Sequence, residues 1–200
     1  AVKRFQQEQN LDIDGAVGKQ TRAVLNVPVA ARIAQVRANL ERSRWLLHEV
    51  KGDFVLVDIA GYRIHFFRDG KSVWTSRVQV GRPVRSTPIF KSRVTYVTFN
   101  PTWTIPPTIF KEDVLPKVQA DPEYLAKNRI RVLGAGGKEL DVASIDWNHP
   151  GNILLREDAG PQNPLGKAVI RFPNPHSIYL HDTPTKANFG RGQRAFSSGC

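Results

Sequence analysis

Two residues near the end of this 200-residue sequence have the chemistry for covalent catalysis: Cys200, its single cysteine, and His181, one of five histidines. A thiol needs a base or a positive field to become a thiolate near neutral pH, and an imidazole at a neighbouring strand end is a common source. The cysteine closes the run Arg194-Ala-Phe-Ser197-Ser-Gly-Cys200, too polar for a packed core. Gly199 has no Cβ and allows close approach of a substrate, and backbone N–H groups around Ser198, Gly199 and Cys200 are candidates to face a developing oxyanion. On residue types alone, a lone cysteine also serves as a small apolar filler and a lone histidine as a hydrogen-bonded structural group. One cysteine makes no internal disulfide, and without a second thiol nothing has the pattern of a structural zinc site.

The elements that must hold these groups read mostly as strands. Alternation from Ser177 puts Ile178 and Leu180 on one face and Tyr179 and His181 on the other. Upstream, Phe54 to Ala60, Tyr62 to Phe67 and Ser72 to Val80 form a meander, with Arg68-Asp-Gly70 as a turn. Val94 to Phe99, Ile153 to Leu155 and Lys167 to Phe172 are further strands. A proline-stiffened insertion, about 101–150, interrupts them. It carries helical segments near Phe110 to Val118 and from Asp121, with Pro122 at the first helical position. Such insertions often shape a substrate site, and Trp103 is its aromatic expected to face a cleft.

Before residue 52 the pattern is helical. Val2, Phe5 and Gln6 share one turn and Thr21, Val24 and Leu25 another, joined by the turn-rich Leu11-Asp-Ile-Asp-Gly15-Ala-Val-Gly18. From Pro28, apolar Val29, Ile33, Val36, Leu40 and Leu47 recur at helical spacing opposite Arg32, Arg37, Arg42 and Arg44, with Glu41 and Glu49 interspersed. This predicts an amphipathic connecting helix packed on a core.

Lys and Arg number 29 against 18 Asp and Glu, a formal net charge of +11. The excess is spread along the chain without an arginine block, which suits an anionic polymer better than a dedicated nucleic-acid groove. At 40% hydrophobic and 24% charged residues, with no long apolar run, disordered and membrane-spanning classes are excluded. The sequence begins at Ala1 and has no Met, so it reads as a processed or excised segment.

His181, a loop, then Ser197-Ser-Gly-Cys200 resembles the signature of the L,D-transpeptidases with a YkuD-type catalytic domain. Ile178-Tyr-Leu-His-Asp-Thr-Pro184, Arg194 to Cys200, and Val78-Gln-Val-Gly-Arg-Pro83 followed by Thr87-Pro88 are similar to the larger Gram-negative periplasmic branch. Ala1, Val2, Phe5 and Gln6, then Asp14, Gly15, Gly18 and Thr21, resemble the last two-thirds of a peptidoglycan-binding module. The resemblance implies a mainly β catalytic domain, a YkuD-like β-sandwich with a helical and loop capping insertion, preceded by a short α-helical module fragment. The divisions are 1–27 for the partial module, 28–51 for the connecting helix and 52–200 for the catalytic domain.

The implied reaction is acyl transfer through a thioester on a tetrapeptide stem, giving 3→3 peptidoglycan cross-links. Cys200 is the nucleophile, His181 the base, and Asp182 or a nearby backbone carbonyl orients the imidazole. Tyr179, Trp103, Ser198 and Gly199 contact substrate. Carbapenems are implied inhibitors; no metal, organic cofactor or nucleic acid is implied. The location is periplasmic and envelope-associated, with a membrane anchor outside this segment left open. An L,D-carboxypeptidase and a non-catalytic wall-binding protein are the alternatives. Ser198 stands where many members have histidine. The family motif continues past its cysteine, whereas this sequence stops there, so a longer enzyme is expected. An α-carboxylate on Cys200 itself would raise the thiol pKa.

Overall fold

A computed structural model describes residues 1–48 and 50–200; Glu49, in the stretch expected to close the connecting helix, lies outside the described residues. The chain divides into two compact units, Ala1–Ser92 with Lys186–Cys200, and Arg93–Thr185. The architecture is several small sheets with a few helices.

The first unit opens with α1 (Val2–Glu8), α2 (Lys19–Leu25) and α3 (Val29–Leu47). Gln6 ties the first two together. It is 2% exposed, and its amide donates to Asp14 Oδ1 (2.7 Å), the Ala16 carbonyl (3.0 Å) and Thr21 Oγ1 (3.3 Å) while accepting from Gly15 N–H (2.8 Å). A buried amide so fully partnered fixes the turn between the helices, because losing a partner would strand polar atoms away from water. The helix expected from Pro28 is present, but its stripe is not packed: Val29, Ile33, Val36, Leu40 and Leu47 are all exposed. Periodicity specifies which residues share a face, and not whether another element covers it.

The meander follows as β1 (Phe54–Asp58), β2 (Arg63–Arg68) and β3 (Lys71–Arg77), in sheet order β1-β2-β3, and then β4 (Val80–Gly81). Phe54 and Phe67 are opposite each other and stack at 4.7 Å. Asp69 and Gly70 both take positive φ (48° and 72°), the two-residue turn whose twist matches the flanking strands.

The second unit contains β5 (Tyr96–Phe99), β6 (Trp103–Thr104), α4 (Pro107–Ile109), a π-turn (Phe110–Val114), α5 (Leu115–Ala120), α6 (Tyr124–Lys127), β7 (Ile130–Leu133), β8 (Leu154–Glu157), β9 (Ala168–Arg171) and β10 (Leu180–His181). Pro116 has no N–H, which explains why the helical ladder widens just before it. The helix expected to open on Pro122 begins instead at Tyr124. Asp121 turns the chain there, its carboxylate accepting from Glu123 N–H (3.0 Å) and its carbonyl from Tyr124 N–H (3.0 Å). Two antiparallel sheets form, β10-β9-β5 and β6-β8-β7. The insertion builds its own core from Ile105, Val114, Val118, Leu125, Ile130, Val132 and Leu155, with Trp103, Tyr124 and Trp147 packed on it. β11 (Ala195–Ser197) returns to the first unit and pairs in parallel with β4. Among the described residues no helix is long and apolar enough to cross a membrane.

Candidate active site

Cys200 follows β11, whose register sets Ala195 opposite Val80 and Ser197 opposite Gly81. Gly81 has to be glycine: a Cβ there would lie 2.2 Å from the Arg85 carbonyl oxygen and 2.7 Å from Thr87 N. The tight turn it permits brings Thr87 back, and Thr87 Oγ1 accepts from Gly81 N–H (2.8 Å) and donates to the Gly199 carbonyl (2.7 Å). Gly199 is buried with φ 117°, a conformation that a side chain would strain. Its N–H donates to Ser197 Oγ (3.2 Å), and Ser197 Oγ in turn donates to the Cys200 carbonyl. The Gly199 N–H is thus engaged within the turn rather than held open for an oxyanion. Ser198 is exposed, and its Oγ accepts from Arg85 Nη1 (3.1 Å). Cys200 is half-buried.

Arg194 anchors the start of this segment. It is 5% exposed, and its guanidinium donates to the carbonyls of Val78 (3.2 Å), Arg191 (2.5 Å), Gly192 (3.2 Å) and Tyr62 (3.1 Å). Burial, then the neighbouring Arg77 and Arg63, lower its pKa. The preceding loop meets the N-terminal helices: Gly192 N–H donates to Asp12 Oδ1 (2.9 Å) and Gln193 Nε2 to the Asn10 carbonyl (3.2 Å).

In the other unit His181 ends β10, opposite Val169 on β9. Its ring is half-buried, and Nδ1 lies 2.5 Å from the Asp182 main-chain carbonyl. A carbonyl only accepts, so Nδ1 carries the proton and Nε2 keeps its lone pair. Burial pushes the imidazole pKa below its ordinary 6.5, against the raising effect of the Asp182 carbonyl and carboxylate; Arg171 lowers it further. Of the two orienting groups the sequence left open, the contact to the ring is the backbone carbonyl, while Asp182 Oδ2 accepts from Lys167 N–H (3.0 Å). The ring of Tyr179 lies under the Arg171 guanidinium, 4.2 Å from its centroid.

Trp103, on β6, lines a cleft of about 470 Å³ whose walls include neither Tyr179 nor His181. Of the expected residues, Ser198, Gly199 and Cys200 belong to the first unit and Tyr179, His181, Asp182 and Trp103 to the second, where the cleft at Trp103 is walled by neither Tyr179 nor His181. Sequence reading gave no role to Thr87, Arg85 or Arg171. More than a hundred residues separate Thr87 and Arg85 from their partners, and no local spacing announces such contacts. Arg194 stood in a quoted motif, but only its ring of carbonyls shows what it does. Among the described residues no cluster of three or more His, Cys, Asp or Glu is arranged to hold a metal ion.

Comparison with known proteins assigns two stretches. Residues 52–200 match the family described as the L,D-transpeptidase catalytic domain (YkuD), and residues 1–25 match the "Putative peptidoglycan binding domain" family. A protein of Haemophilus influenzae named "Putative L,D-transpeptidase" is 40% identical over 149 residues, covering 73% of this chain. The match spans 30% of that relative's length.

Proposed function

The chain belongs to the YkuD family of L,D-transpeptidase catalytic domains, and from that premise we propose that it modifies peptidoglycan by forming 3→3 cross-links through a thioester on Cys200. In this reading Cys200 gives its proton to His181 Nε2, and the thiolate attacks the meso-diaminopimelate carbonyl of a donor tetrapeptide stem. The C–S bond forms, the C–N bond to D-alanine breaks, and D-alanine leaves with the proton from the imidazolium. The side-chain amine of an acceptor stem then attacks the thioester, forming the new amide and restoring the thiol. Tyr179, Trp103, Ser198 and Gly199 contact the stems.

The observation that carries this reading is the state of His181: proton fixed on Nδ1 by a backbone carbonyl, lone pair on Nε2, and burial keeping the ring neutral at pH 7. The same thiolate is proposed as the carbapenem target. Residues 1–27 serve as a partial wall-binding module, 28–51 as a connecting helix and 52–200 as the catalytic domain, a β-sandwich with its capping insertion at about 101–150. Both matched families concern peptidoglycan, which supports a cell-envelope location, proposed here as the periplasm.

The test is intact-protein mass spectrometry on the full-length protein, mixed with a tetrapeptide muropeptide or a carbapenem. A covalent adduct on the unaltered protein, absent in Cys200→Ser and slowed in His181→Ala, is expected, with cross-linked dimer as the muropeptide product. Tripeptide without dimer would make the enzyme a carboxypeptidase. Folded protein that takes no adduct from either reagent would overturn the reading in favour of a wall-binding scaffold.

A further inference from the structure

Glu157 is a buried carboxyl that nothing in the proposed reaction uses. It ends β8 and is 9% exposed, and its carboxylate makes no hydrogen bond or salt bridge among the described residues. It lines the 470 Å³ cleft of the Arg93–Thr185 unit, directly across the sheet from Trp103, and Tyr124 forms another wall. Leaving a largely buried carboxyl without a hydrogen-bonded partner is costly, and native chains rarely do so without a purpose.

The other charged groups lining the cleft are engaged. Lys127 holds Asp121 (3.0 Å) and Glu123 (3.2 Å), Asp158 holds Arg131 (2.7 Å), and Arg129 donates to the Ala159 carbonyl (2.8 Å). Asp113 also has a partner. Lys117 places its ammonium 5.5 Å from the Tyr124 ring centroid, so the chain itself already sets an alkylammonium against an aromatic wall of this cleft. What the cleft lacks is a donor hydrogen-bonded to Glu157: Arg129 acts on its carboxylate electrostatically, without a hydrogen bond or ion pair among the described residues.

We infer that this cleft is a binding site for a primary ammonium carried on a compact saturated body, with Glu157 as its counter-ion and Trp103 and Tyr124 as its aromatic walls. The volume suits a small ligand or one side chain of a larger one, and aromatic walls with convergent polar and charged groups are found in such sites. A charge-assisted bond is roughly twice as strong as a neutral one, so an ammonium offsets the carboxylate's burial better than a hydroxyl or amide does. Two wall chemistries can carry this group, a diamino-acid side chain and a de-N-acetylated amino sugar. Binding here requires no turnover, but it shares Trp103 with the proposed stem contacts and so rests in part on that reading.

The test is a titration of the whole chain with labelled tryptophan indoles, followed by NMR. The probes are Nα-acetyl-L-lysine methyl ester, its Nε-acetylated counterpart, and methyl glucosaminide. The Trp103 signal, assigned with Trp103→Phe, should shift with an ammonium probe and not with the acetylated one. Which ammonium probe binds tighter identifies the source chemistry. Affinity should rise from pH 6 to pH 8 as Glu157, pushed up to about 7 by burial against the opposing pull of Arg129, ionises. Glu157→Gln should lose at least tenfold in affinity and abolish that pH dependence, with its thermal transition showing the fold intact. Equal binding of the acetylated probe, unchanged affinity in Glu157→Gln, or no shift with any probe would each overturn the inference.

Discussion

Because a carbonyl cannot donate, one short contact between His181 and the Asp182 main chain decides which ring nitrogen is available as a base. The sign of the accompanying pKa shift makes a prediction. Burial moves His181 below 6.5, so the ring stays neutral to lower pH than a solvated histidine. The acid limb of the rate of Cys200 acylation is expected below pH 6.5, measured as adduct formation against pH; a limb above 6.5 would contradict the assignment of His181 as base. Glu157 shifts the opposite way. Its folded pKa of about 7 lies above the ordinary 4.5, so the chain binds an extra proton when folded, and stability is fully present below pH 4.5 and falls as pH rises towards 7. Glu157→Gln should flatten the thermal-stability profile across that window and raise the transition at neutral pH; denaturation scans at pH 4.5, 6 and 7.5 would check both.

At the scale of elements, the segment bearing the cysteine is held by a chain of contacts rather than by a long strand. β4 pairs with β11, Thr87 clasps Gly81 on one side and Gly199 on the other, and Arg194 draws four carbonyls around it. Thr87→Val keeps the shape and removes both hydrogen bonds, stranding a donor and an acceptor in a half-buried turn. The expected result is a loss of about 1–3 kcal/mol of stability and a roughly ten- to hundredfold slower acylation as Gly199 and Cys200 shift. Thr87→Ser should restore most of both, and kinetics on the two variants beside chemical denaturation would tell. Elements whose signal is local matched expectation: the meander and its Asp69-Gly70 turn are visible in alternation and turn chemistry. β6, β7 and β11 were not anticipated. Each is two to four residues long and exists because a distant partner pairs with it, as Trp103–Thr104 does with Arg156–Glu157.

For the whole molecule, the charge of +11 spread along the chain favours an anionic polymer without specifying a groove. Co-sedimentation with isolated cell-wall sacculi should therefore fall as salt rises from about 0.1 M to 1 M, where the screening length contracts from ~10 Å to ~3 Å. Binding indifferent to salt would place the recognition in specific contacts instead, with the Gln6-centred helix pair the first place to look. The sequence by itself determined the family, through His181 and the Ser-Ser-Gly-Cys200 run, because a motif is carried by residue types at short spacing. It also determined the N-terminal helices and most long strands, because those follow from periodicity within a few turns. Only the tertiary structure decided that a backbone carbonyl meets the His181 ring, that Thr87 and Arg194 brace the cysteine segment, that the stripe of α3 lies uncovered, and that the Glu157 side chain is buried without a hydrogen-bonded partner among the described residues. Each of these depends on which distant residues share a volume, and burial and partnership are properties of that volume rather than of the residues themselves.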